Sequence, residues 1–177
     1  MCGIAGFSHK NRPADSSLIR RITARLAHRG PDQLGVYESP RMSLGAVRLK
    51  IIDLNGGDQP IVSDDRNAVV AFNGEIYNHA ELRRELERRG HRFHSHCDTE
   101  VVLHAFLEWD TKCFARLRGM FGIAVWSERD CRLILARDRI GIKPLYFHLD
   151  GPEIRFGSEL KAILEHPDTR RRLDLRA

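Results

Sequence analysis

Cys2 is the residue best placed for chemistry. It follows the initiator methionine, and a small second residue permits removal of Met1, which would leave a cysteine carrying a free α-amine. Such an amine has an ordinary pKa of about 7.7–8.0. It can therefore act as general base for its own thiol, directly or through water, with no histidine required. Read from position alone, a second-position cysteine can equally be incidental. Cys97, Cys113 and Cys131 make no CxxC pair, and without a signal peptide all four cysteines read as free thiols. His91, His94, His96, Cys97 and His104 crowd one segment. On a strand, His94 and His96 share a face that Cys97 does not, so the spacing yields no tetrahedral zinc set. The Arg137–Tyr146 block lacks the G-x-x-x-x-G-K pattern of a phosphate loop. Three further features each have an ordinary structural reading. Asn73-Gly74 is by itself a β-turn signal, Asp98 an N-cap for the next helix, and Arg48 a surface ion-pair partner.

The elements that must position these residues follow from periodicity. Gly3 to Phe7 reads as a short buried strand. Asp15 or Ser16 caps a helix through Ala27, with Leu18, Ile22 and Leu26 on one face. Turn residues His28 to Asp32 follow, then strands near Met42–Val47, Lys50–Leu54 and Ala68–Phe72. Asn78 with Glu81 starts a helix in capping-box fashion that ends at Gly90. Arg92–His96 reads as a strand, Asp98 or Thr99 opens an apolar helix through Trp109, and Cys113–Leu117 supplies a further helical turn. Phe121–Trp126, Arg132–Ala136, Leu145–Leu149 and Ile154–Phe156 form a meander, closed by a short helix from Glu159 to Leu164. Strands in hairpins with helices inserted in pairs predict α+β with antiparallel sheets rather than repeated βαβ units.

Composition fits that reading. The 177 residues suit one domain that hides roughly 70% of its unfolded surface. Hydrophobic residues make up 42% and charged residues 30%, with no low-complexity run, which argues against disorder. The longest apolar stretch, Gly119–Trp126, is too short for a bilayer, and no secretory h-region opens the chain. The expectation is a cytoplasmic domain with neither a membrane nor a nucleic-acid partner. The net charge of +5 does not change this. Arg83, Arg84, Arg88 and Arg89 alternate with Glu81, Glu85 and Glu87, while Arg20, Arg21 and Arg25 carry no interleaved aromatics, as solvated helix faces do. Arg170–Arg172 reads as a surface linker.

Against this background the opening Met1-Cys2-Gly3-Ile4-Ala5-Gly6-Phe7 resembles class II glutamine amidotransferases, which are N-terminal nucleophile hydrolases. The likeness continues through His28-Arg29-Gly30-Pro31-Asp32, Arg48-Leu49-Lys50-Ile51-Ile52-Asp53-Leu54 and Gly57-Asp58-Gln59-Pro60. It then takes in Phe72-Asn73-Gly74-Glu75-Ile76-Tyr77-Asn78, Asp98-Thr99-Glu100-Val101, Arg118-Gly119-Met120-Phe121, Ala136 to Tyr146, and Phe156 to Lys161. In this order the blocks are similar to the glutaminase domain of glutamine-hydrolysing asparagine synthetases, and they cover nearly all of residues 1–177. One departure stands out: relatives commonly read Gly-His-Arg-Arg-Leu where this chain has Gly45-Ala46-Val47-Arg48-Leu49.

The resemblance implies a four-layer αββα sandwich with two mainly antiparallel sheets. It implies Cys2 as nucleophile, the Asn73 amide and Gly74 N–H as oxyanion donors, Arg48 for the α-carboxylate of glutamine, and Asp98 with Glu75 for its α-ammonium. No cofactor or metal is implied in this domain. ATP and Mg²⁺ belong to a synthetase domain of the full-length chain, whose Ser-Gly-Gly-x-Asp-Ser loop is absent here. Glutamine and that domain are the implied partners, and homodimer formation stays open. Two other functions remain open at this point: the same glutaminase serving a non-aspartate acceptor, or a non-catalytic regulatory domain that retains Met1.

Overall fold

The computed structural model describes residues 2–9 and 16–171. Its strands are β1 (Gly3–Ser8), β2 (Gln33–Glu38), β3 (Met42–Arg48), β4 (Ile61–Val62), β5 (Ala68–Ile76), β6 (Gly119–Ser127), β7 (Arg132–Arg137), β8 (Tyr146–Asp150) and β9 (Glu153–Gly157). The helices are α1 (Ser16–Ala24), α2 (His79–Arg88), α3 (Asp98–Trp109), α4 (Cys113–Arg116) and α5 (Leu160–Leu164). One sheet has the order β2-β3-β1-β9-β8 and the other β4-β5-β6-β7. Every strand pair in both is antiparallel.

The period-two alternation of the strands builds the layers. Ile4 faces the second sheet with Leu44, Ala46, Val69, Ala71, Ala124 and Trp126. Ala5 and Phe7, one residue out of phase, face Ile19, Ile22 and Leu26 around α1. On the second sheet Val70 and Phe72 face away from the first and meet Leu82, Leu86, Val102 and Phe106 of α2 and α3. Three apolar clusters separated by two sheets make a four-layer αββα sandwich, as expected. Each buried Leu, Ile or Phe contributes about 1.5–3 kcal/mol relative to exposure. Ala46 and Val47, where relatives commonly have His-Arg, are fully buried on opposite faces of β3. Among the described residues no helix is long and apolar enough to cross a membrane.

Several local expectations are corrected. β2 carries no clear sequence signal, and α1 ends at Ala24, with a 3₁₀ turn at Ala27–Arg29. The proposed cap Asp15 and the end of the Arg170–Arg172 run lie outside the described residues. Lys50–Leu54 is a loop, and so is Arg92–His96. In both places side chains take backbone groups a ladder would use: Arg48 donates to Ile52 O (2.8 Å) and Asp53 O (2.9 Å), while Asp53 accepts from His96 N (2.7 Å) and Glu100 from His94 N (2.7 Å) and Ser95 N (2.8 Å). Asn78 does not form a capping box; its amide group binds Arg116 O (3.1 Å) and Arg118 N (2.9 Å) instead.

The final strands are not one meander either. β6 and β7 lie in one sheet, β8 and β9 in the other. The crossover between them turns on Asp138, whose carboxylate accepts the N–H groups of Phe121, Ile142 and Lys143 at 2.8–3.2 Å.

The α1 layer gives a direct test. A Cβ on Gly45 would collide with the Thr23 hydroxyl, which is buried and bonded to Ile19 O (2.7 Å). Gly45→Ala is expected to lower unfolding free energy by about 1–3 kcal/mol, and Thr23→Ala in the same chain should recover part of it. A urea midpoint unchanged by Gly45→Ala would contradict this packing.

Candidate active site

β1 is the middle strand of its sheet, and its ladder with β3 ends at Gly3↔Val47. The next rung of the same register sets Cys2 beside Arg48, where the gap between the sheets opens. Cys2 is half-buried, with Sγ 3.9 Å from Leu49 O. Its carbonyl accepts from Arg29 Nε (2.9 Å), and Arg29 is held by Glu159 (2.9 Å). Burial alone would raise the Glu159 carboxyl, but Arg29, Lys161 and His28 around it hold it down at about 2. Two of the family-like blocks therefore meet behind the cysteine and fix its backbone.

Opposite Cys2 runs the far half of β5. β4 pairs only with Val69 and Val70, so beyond that point one edge of β5 has no neighbouring strand. The alternation of the strand points the N–H groups of Phe72, Gly74 and Ile76 toward that edge. Gln59 Oε1 accepts from Phe72 N (2.7 Å), and Asp98 Oδ2 accepts from Ile76 N (2.9 Å). Gly74, between them, faces the cleft. Its lack of a side chain is required, because a Cβ there would strike the Met120 carbonyl. Asn73-Gly74 is thus not a turn; the pair lies within β5, opposite Gly122 and Phe121 of β6. The Asn73 side chain is 0% exposed, and neither its Nδ2 nor its Oδ1 has a hydrogen-bond partner. A buried unpaired amide costs about 1–3 kcal/mol.

The two charged residues are buried too. Arg48 Nη1 donates to Gly56 O (2.6 Å) and Asp58 Oδ1 (3.4 Å), while Nη2 donates to Ile52 O (2.8 Å) and Asp53 O (2.9 Å). It is no surface ion-pair residue: its fork pins the 52–58 loop that forms one wall. Asp98 opens α3, and the N-cap position itself falls on Cys97. Burial pushes the Asp98 carboxyl up, with the Ile76 N–H and His79 opposing.

One cleft, with about 640 Å³ of open space, is lined by Cys2, Arg48, Asn73, Gly74, Glu75 and Asp98 together. Glu75 is exposed at the cleft's edge. Gln59, Thr99, Met120 and Lys143 share the wall; the residue patterns gave them no role, since only long-range folding brings them here. The other cysteines separate from Cys2: Cys97 and Cys113 are buried, and burial pushes the Cys113 thiol up to about 12, while Cys131 is exposed and lines no part of this cleft. His91 pairs with His104 (3.0 Å) and His94 with Asp64 (3.2 Å). Among the described residues no three His, Cys, Asp or Glu side chains are grouped to hold a metal.

Comparison with known proteins agrees with this geometry. The sequence family described as "Glutamine amidotransferase domain" matches residues 1–177. Asparagine synthetase [glutamine-hydrolyzing] 3 of Bacillus subtilis is 41% identical over 98% of this chain and 29% of its own length. Asparagine synthetase [glutamine-hydrolyzing] 2 of Arabidopsis thaliana is 41% identical over 92% of this chain and 28% of its own. The chain thus spans less than a third of these curated relatives. Among solved structures, glutamine phosphoribosylpyrophosphate amidotransferase from B. subtilis superimposes with a TM-score of 0.76 at 21% identity, over 92% of this chain and 43% of that one, and so shares the fold. Cleft, sequence and fold converge: this chain belongs to the glutamine amidotransferase domain family.

Proposed function

We propose that this chain hydrolyses the side-chain amide of glutamine and supplies the ammonia to a synthetase domain of a longer protein, which uses it with ATP to make asparagine from aspartate. The observation that carries the reading is the buried, unpartnered Asn73 amide beside Gly74, facing the same cleft as Cys2. A neutral amide held dry and idle, next to a backbone N–H that faces the cleft, suits an oxygen that becomes negative only during reaction. The named relatives support the choice of glutamine and of the asparagine-forming partner.

With Met1 removed, the Cys2 amine takes the thiol proton and the thiolate attacks the glutamine amide carbon. Asn73 Nδ2 and the Gly74 N–H receive the oxyanion. As the intermediate collapses, the C–N bond breaks, the α-ammonium returns its proton, and ammonia leaves behind a γ-glutamyl thioester. Water, deprotonated by the same amine, then opens the thioester to glutamate and restores the thiol. Asp98 and Glu75 receive the substrate ammonium. The substrate carboxylate docks on Arg48 by taking over the long 3.4 Å contact to the exposed Asp58, which leaves the loop carbonyls bound.

Glutamate release from glutamine is the direct assay. Cys2→Ala should abolish it, and Asn73→Ala should lower kcat by about 10²–10³-fold with little change in KM. Parent-like turnover by Cys2→Ala would refute the mechanism. Intact mass decides the state of the N-terminus: an active protein should lack Met1.

Asp98 has a second signature. Its ionised form binds the ammonium, and its pKa is raised, so KM for glutamine should climb on the acid side at a pH above the ordinary carboxylate range of about 4. The same upward shift means that ionised Asp98 opposes folding, an effect relieved as pH falls. Asp98→Asn should therefore raise KM by on the order of tenfold or more while raising the melting temperature at pH 8. A lower melting temperature together with unchanged KM would contradict both roles.

A further inference from the structure

We propose that Gln59 is a positioning residue that sets the distance between the oxyanion donors on β5 and the ammonium acceptor on α3. The inference rests on the glutaminase reading above and adds a specific residue to it. Gln59 is almost fully buried, and both ends of its side-chain amide are used. Oε1 accepts the Phe72 N–H (2.7 Å), one residue before Asn73. Nε2 donates to the Thr99 hydroxyl (3.2 Å), one residue after Asp98. A single planar group therefore spans the two elements between which the substrate must lie.

The Gln59 backbone is fixed as well. Its N–H donates to Gln33 Oε1 (3.2 Å) and its carbonyl accepts from Gln33 Nε2 (2.8 Å). A Cβ on Gly35 would collide with that carbonyl, so β2 must approach through a glycine. The chain of contacts runs from β2 in one sheet through Gln59 to β5 in the other and on to α3. On the open edge of β5, Gln59 and Asp98 hold the N–H groups on either side of Gly74. Removing the Gln59 amide frees Phe72 and detaches Thr99, so the strand and the helix can each shift. A misplacement of about 1 Å at a reacting centre can cost on the order of 10²-fold.

The test compares steady-state glutamine hydrolysis by the parent 177-residue protein with Gln59→Leu, Thr99→Val, Thr99→Ser and the Gln59→Leu/Thr99→Val double variant, with thermal melts alongside. Gln59→Leu should lower kcat/KM by about 10²-fold, with kcat reduced and KM raised. Thr99→Val cuts only the α3 arm: KM should rise several-fold with kcat near parental, and Thr99→Ser should restore KM. In the Gln59→Leu background, Thr99→Val should add less than about twofold, since the two residues act through one contact. A folded Gln59→Leu with parental kcat and KM overturns the inference, as do penalties that multiply independently. If Gln59→Leu fails to fold, Thr99 decides alone: KM raised by Val and restored by Ser supports the role, and KM unmoved by Val overturns it. A parent that releases no glutamate refutes the glutaminase reading itself, which is a different outcome from a working parent that is indifferent to Gln59.

Discussion

An open strand edge inside a buried cleft is the constraint on which the site depends. Backbone N–H groups removed from water must find acceptors, and β5 runs on past Val70 after its neighbour β4 has ended. Phe72 and Ile76 meet that demand through the side chains of Gln59 and Asp98. Gly74 lies between them with its N–H turned into the cleft, and the Asn73 amide stays buried and unpartnered next to it. A longer β4 would satisfy this edge and close the cleft. The same shortness of one strand thus leaves a backbone donor unused and makes room for a ligand beside it.

The proposed nucleophile is placed by the opposite circumstance, a strand paired on both sides. β1 is held by β3 and β9, so the residue just before it has little freedom. Arg29 fixes the Cys2 carbonyl from behind, and Arg48 organises the 52–58 loop in front. The cleft therefore has a rigid floor on the first sheet and polar groups aimed from the second. An idle desolvated amide and a buried carboxylate both oppose folding, and the three apolar clusters supply the stability that tolerates them. Function here is stored as unsatisfied polarity.

Much of this was legible in the residues. The alternation of Ile4, Ala5 and Phe7, and of Val69 to Phe72, encodes the layers, and the six residues singled out by the family resemblance all line one cleft. What failed has a common physical cause. Lys50–Leu54 and Arg92–His96 are apolar or alternating enough to suggest strands, yet Arg48, Asp53 and Glu100 hold their backbone groups through contacts that hydropathy does not record. Asn73-Gly74 has the local chemistry of a turn but is overridden by a nine-residue ladder with β6. β2 shows no strand pattern in the sequence because Gly35, needed for the approach of Gln59, interrupts it. Gln59 itself is unremarkable until β2, β5 and α3 are assembled around it.

The central claim is that the Cys2 sulfur carries the acyl group of glutamine. Acid quenching during turnover, followed by peptide mass analysis, tests it most directly. The account predicts one γ-glutamyl group on the N-terminal peptide, labile to hydroxylamine as a thioester is and absent from Cys2→Ala. Glutamate released at the parental rate with no acyl group on Cys2, or with the group on another residue, would contradict it.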